Sequence, residues 1–247
     1  MPSLPELART LEERLEALRA TAAAVPIGGM SHIVTMQLLE SASDLDAAAR
    51  SVGEAHRRAI PVFRQGGAGL EIPANDGART LLRQPPELQT LAVLLKAWTF
   101  FVRAFCDNAY QLLLASVERR PAKAGGSMEA ILNERNPVAV LFAEEAPEIV
   151  EWFRELRAVR NDMKRGAAFA FSDLDARGLH YTIYDVKAER APAREIKVTA
   201  GRTVTFANVV EDAARVLEIF RVISEQKALI GGAVAGPTGA QTGAQGR

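Results

Sequence analysis

Residues 87 to 119 constrain the fold of this chain more than any other segment. Leu91, Leu94, Leu95, Trp98, Phe101, Val102, Phe105, Tyr110, Leu112 and Leu113 recur at helical spacing yet cover most of the circumference. A helix that is apolar on nearly every side must be covered by others. The stretch is therefore expected at the centre of a helical bundle or in a subunit interface. Lys96, Arg103 and Asp107 interrupt the apolar run, which argues against a membrane span.

The flanking segments supply covering helices. Leu4, Leu7, Leu11, Leu15, Leu18 and Ala22 keep helical spacing behind a capping-box pair, Ser3 and Glu6, up to a stop near Pro26 and Gly28. A second helix is predicted from about Ser31 to Arg58, with Gly53 as its weak point and Pro61 as its stop. Gly66, Gly67, Gly69, Pro73, Gly77 and Pro85 then mark a surface excursion with room for a short strand at Leu70 to Ile72. After the central helix, Pro121 to Gly126 reads as a loop. Ser127 can cap a short helix through Asn133, Asn136 and Pro137 form a cap and first-turn pair, and Pro147 opens a helix to about Arg165 that Gly166 ends.

The period then changes. Phe169 and Phe171, and Tyr181 and Ile183 against Thr182 and Tyr184, alternate as strand residues do, and Arg190 to Arg194 makes a turn into a further strand, Glu195 to Thr199. Asn208 and Glu211 repeat the capping-box spacing ahead of Val209, Ala213, Val216, Phe220 and Ile223. The expected architecture is mainly α. It is a helical bundle over residues 1–230 with a two- or three-stranded antiparallel insertion, about 167–200, before the last helix. Residues 231–247, with the near-repeat TGAQTGAQG, lack apolar periodicity and are expected to be a disordered tail.

Composition narrows the function classes. Hydrophobic residues make up 48% and charged residues 24%, which excludes wholesale disorder. Lys+Arg and Asp+Glu both total 30, so nucleic-acid or membrane binding would need a local patch. No basic-then-apolar leader precedes the first amphipathic helix. Cys106, the single cysteine, lies in an apolar stretch and reads as a buried reduced thiol. A cytoplasmic protein without membrane contact is the expectation.

One helix carries a local patch. On a wheel of about 100° per residue, Ile149, Phe153, Leu156 and Met163 fall within roughly 60° of Arg160, and Trp152 and Val159 extend the stripe on one side. Lys164 and Arg157 lie about 40° and 60° away on the other flank, while Glu151, Glu155 and Asp162 occupy the back. An arginine inside an apolar arc is costly unless it pairs with a carboxylate, snorkels to the surface or opens into a polar cleft. A cleft-lining guanidinium suits phosphate or carboxylate ligands.

The string WFRELRAVRNDMKRG, Trp152 to Gly166, adds to this. Arg160, Asn161 and Lys164, followed by Arg165 and a glycine, resemble the signature of HEPN-type helical bundles, in which an arginine and a polar neighbour precede a histidine. The resemblance covers mainly residues 87 to 230. It implies a helical bundle, commonly dimeric, and in many members a metal-independent ribonuclease whose arginine and histidine from two subunits meet in one cleft. This chain departs from that pattern at Arg165, which stands where the catalytic histidine would. Arginine cannot deprotonate a ribose hydroxyl near neutral pH, so the likeliest acid/base is missing. His180 is the only substitute nearby in sequence, and a half-exposed strand histidine is the commoner reading of it.

Other constellations carry less. His32, His56 and His180 are widely spaced and no metal-binding motif or cofactor fingerprint accompanies them. Ser3, Ser31 and Ser127 fit helix caps, and His56, Arg57 and Arg58 fit a helix end, where positive charge is favourable. The expected function is a HEPN-like, non-catalytic binding or assembly module, a homodimer taking RNA or a nucleotide through Arg157, Arg160, Asn161, Lys164 and Arg165. The alternatives are a metal-independent ribonuclease of a stress or defence system, of the toxin-antitoxin kind, and a purely structural interaction protein.

Overall fold

The computed structural model describes residues 6, 9–10, 12–17, 30–66, 84–118, 126–165, 168–188 and 196–233. Its order is α1 (Met30–Arg64), α2 (Pro86–Val117), a short 3₁₀ helix (Met128–Leu132), α3 (Pro137–Glu145), α4 (Glu148–Arg165), β1 (Ala168–Asp175), β2 (Gly178–Ala188), β3 (Ile196–Thr205) and α5 (Phe206–Ala233). The molecule is mainly helical, with a three-stranded antiparallel meander, β1-β2-β3, inserted before the last helix. Residues 12–17 are also helical and contribute Leu15 to the core.

Helix α2 is the axis of the bundle. It packs most extensively on α1 and also meets α3, α4, α5 and β1. Leu91, Leu95, Trp98, Val102, Phe105, Cys106 and Leu113 are buried, joined by Leu38 and Leu45 of α1, Phe142 of α3, Phe153 of α4 and Phe220 of α5. Helix α2 is long and apolar enough to cross a membrane, and half of its most apolar stretch is buried by the rest of the fold. Cys106 is a buried free thiol whose pKa burial pushes up.

Several ends differ from expectation for local reasons. Helix α1 starts at Met30, which puts Ser31 inside the first turn, and it continues past Gly53 and through Pro61 to Arg64. The stop is Gly66. Its φ of +85° and its N–H donated to the Phe63 carbonyl (3.0 Å) close the helix in the left-handed conformation. His56, Arg57 and Arg58 thus sit inside the helix, and both arginines pair with Glu54 rather than with the helix terminus. At α5, Thr205 is the N-cap and Asn208 the third helical residue. Asn208 Oδ1 accepts from the Thr205 backbone N–H and hydroxyl, both at 2.9 Å, so the cap lies three residues earlier than the Asn208–Glu211 spacing predicts. Helix α5 also includes Gly231, Gly232 and Ala233, assigned above to a tail. The Ser127 and Asn136 caps hold, accepting from Glu129 N (3.2 Å) and Val138 N (3.0 Å).

The third strand is longer than expected, Ile196–Thr205 rather than Glu195 to Thr199. Phe171 of β1 pairs with Tyr181 of β2, and hydroxyls of Ser172, Thr182 and Thr203 run across the three strands at 2.9 and 3.0 Å. At the β1–β2 turn Gly178 has φ +90°, and a Cβ there would meet Phe206 Cβ at 2.7 Å, so only glycine fits. The expected Ser3–Glu6 cap, the strand at Leu70 to Ile72, the turn at Arg190 to Arg194 and residues 234–247 lie outside the described residues.

Candidate functional site

Helix α4 buries Ile149, Trp152, Phe153, Leu156 and Met163, which fixes the orientation of its basic flank. Arg160 is half-buried at the edge of this stripe. Its guanidinium lies 6.0 Å from the ring centre of Phe100 on α2, a side chain 40% exposed, and its Nε is shielded from solvent without a hydrogen-bond partner. No carboxylate of the described residues pairs with it. Beyond it, Lys164 is exposed and Asn161 half-buried, whereas Arg157 is held by Glu129 of the 3₁₀ helix at 2.5 Å. Arg165 ends the helix, and its side chain is outside the described residues.

A second cation over an aromatic ring extends this flank. Lys96 of α2 places its Nζ 3.4 Å from the ring centre of Phe169 at the start of β1, and burial lowers its pKa. Phe169 in turn stacks on Tyr181, with ring centres 5.7 Å apart. The result is a surface on which Arg160 and Lys96 each cover a phenylalanine. The acidic back of α4 is neutralised separately, because Arg202 of β3 holds Glu155 (2.5 Å) and Asp162 (3.1 Å). Positive charge therefore remains on the Arg160 side.

Among the described residues the buried arginine is Arg103, 6% exposed, on α2. It donates to Asp107 Oδ2 (3.1 Å) and Ser127 Oγ (2.6 Å) and lies over Phe153 (4.6 Å). Asp107 also accepts from Ser127 Oγ and the Met128 backbone N–H, so this junction ties the 3₁₀ helix to α2 and is structural.

A further constellation escaped the sequence reading. The only two tryptophans of the chain, Trp98 and Trp152, donate their indole N–H groups to the two oxygens of one carboxylate, Asp212 of α5, at 3.0 and 2.9 Å. Burial pushes the Asp212 carboxyl up to about 7 against the pull of both indoles. It lies in a cleft of about 340 Å³ between α2, α4, β3 and α5. The signal was available, since Asp212 falls between Val209 and Val216 on the apolar face of α5. The reasoning that singled out Arg160 applies equally to an acid in that position.

His56 and His180 are structural in their surroundings. His56 stacks on Phe206 (ring centres 3.6 Å apart, 5° between planes) and accepts from the Leu179 backbone N–H at 3.4 Å, and burial lowers its pKa to about 4. It lines an open cleft of about 840 Å³ with the β1–β2 turn. His180 lies 2.9 Å from Asp175, whose carboxyl is held below its usual range by His180 and by the Arg177 backbone N–H. His180 is four residues along β2 from Tyr184, the partner of Ala168 where β1 follows α4. That separation is about 13 Å of strand, so His180 is not brought to the Arg160 flank. Among the described residues no group of three or more His, Cys, Asp or Glu side chains is arranged to hold a metal ion. No known protein family, curated protein or solved structure matches the chain.

Proposed function

We propose that this chain is a HEPN-like, non-catalytic binding module that takes single-stranded RNA or a nucleotide on the α4 flank, assembles as a homodimer and works in the reducing cytoplasm. The observation that carries the reading is Arg160: a guanidinium with no carboxylate partner among the described residues, beside a phenylalanine that is 40% exposed. Unpaired cations track a phosphate backbone, and exposed aromatic faces stack bases regardless of sequence. Lys96 on Phe169, with Lys164 and Asn161 beyond, lengthens the same surface.

Binding is favoured over cleavage because, among the described residues, no histidine stands on this flank. Arg165 holds the position of the family's histidine, and His180 sits beside Asp175 at the other end of β2. The test is fluorescence anisotropy of a labelled single-stranded oligoribonucleotide, with wild type and Phe100→Ser, in the presence of a chelator. Wild type should bind with affinity that falls steeply with salt, Phe100→Ser should bind several-fold more weakly, and the oligonucleotide should stay intact. Equal binding by both proteins removes the surface from consideration. Shortened oligonucleotide under chelation favours the ribonuclease instead.

A further inference from the structure

The cleft over Asp212 has the wrong charge for a phosphate and the right one for the opposite ligand. Five carboxylates line it, those of Glu148, Glu151, Glu155, Glu211 and Asp212, against two arginines. Both arginines are committed. Arg202 holds Glu155 and Asp162, and Arg215 holds Glu148 at 2.6 Å with Glu211 at 4.0 Å. Glu151 pairs with Arg154, and of the five only Asp212 has no cation among the described residues. Each of its oxygens accepts one indole N–H, and an ionised carboxylate has about four acceptor positions, so roughly two remain.

Apart from Thr99, Thr203 and Asn208, the rest of the cleft is apolar. Leu95, Leu156, Val159, Met163, Val204 and Val209 form its walls. Its volume, about 340 Å³, is at the small end of ligand cavities. We propose that this cleft binds a small organic monocation with an apolar body, an alkyl- or arylamine or a guanidinium, whose N–H groups complete the hydrogen bonding of Asp212. Burial makes an unanswered carboxylate costly, and a ligand ammonium supplies the missing charge while its hydrocarbon covers the walls. Leu156, Val159 and Met163 of α4 line this cleft and Arg160 does not, so the site is built of other residues than the RNA surface and survives its failure.

Trp98 and Trp152 make the test direct, because all tryptophan fluorescence of the chain comes from the two indoles bonded to Asp212. The full-length protein is titrated with 2-phenylethylamine and with its neutral counterpart 2-phenylethanol at about pH 8, above the ionisation of Asp212. The amine should give a saturable change and bind roughly tenfold or more tightly than the alcohol. Asp212→Asn, checked by circular dichroism, should abolish the preference. Val159→Phe, which fills the cleft and leaves the charge, should weaken amine and alcohol together. A capped tripeptide with a central lysine separates two sources of the same chemistry: binding as tight as the amine assigns a protein lysine, weaker binding a free amine. Equal affinity of amine and alcohol for the wild type, or no saturable change at millimolar amine, overturns the proposal whatever the variants do.

Discussion

Two arginines on apolar helix faces meet opposite fates. Arg103 is buried and bonded to Asp107 and Ser127, so Arg103→Met should strand a carboxylate and lower stability by about 3 kcal/mol in urea denaturation. Among the described residues Arg160 has no such partner, and the same substitution there should leave stability nearly unchanged. Two titrating groups oppose each other in a similar way. Asp212 has a folded pKa raised from 3.8 to about 7, so the folded state holds the extra proton and stability falls as pH rises from about 4 to about 7. His56 has a folded pKa lowered from 6.5 to about 4, so the unfolded state holds the extra proton and stability falls as pH drops from about 6.5 to about 4. The wild-type profile should therefore be shallow across this window. Asp212→Asn should leave a stability that rises with pH there, and His56→Gln, which keeps an acceptor for Leu179, one that falls. Parallel profiles for the two variants in thermal melts at stepped pH would refute this assignment. For Asp212 the sequence showed an acid on an apolar helix face but not its partners, which lie 60 and 114 residues away.

Helices and strands were legible where one periodic pattern governs a segment. The apolar circumference of residues 91 to 113 placed α2 at the centre, and alternation at Phe169 to Ile183 placed the hairpin. Ends were less so, because a local signal has to compete with packing. Pro61 lacks a helical N–H, yet Ala59 and the half-buried Ile60 and Phe63 anchor the last turns of α1 against the core and carry the helix past it. The capping residues of α5 were recognised by type but set three positions late, since Thr205 closes β3 and caps the helix at once. Gly66 gives the clearest check on this level. A Cβ there meets nothing within 4 Å, so Gly66→Ala should cost only the left-handed backbone penalty, about 1 kcal/mol by denaturant midpoint. A cost near zero would mean that Gly66 does not end α1.

At the scale of the whole molecule, α1, α4 and α5 cover much of α2, and the exposed apolar side chains that remain include Val93 and Phe100 on α2 and Ile33 and Met36 on α1. A homodimer would cover part of this surface, and light scattering should return twice the 26.7 kDa chain mass at micromolar concentration. A monomer throughout that range would leave the bundle complete on its own. The candidate site was half legible: the sequence pointed to Arg160, Asn161 and Lys164, but not to Phe100, Lys96 and Phe169, which come from elements distant in the chain. The proposed function holds Arg160 for a ligand and not for the fold. It is tested by Arg160→Met, with urea denaturation and oligoribonucleotide anisotropy measured on the same preparation. The stability of the variant should stay within about 0.5 kcal/mol of wild type, while affinity falls several-fold and the salt dependence shrinks by about one counterion. A collapsed midpoint with unchanged oligoribonucleotide binding would contradict it.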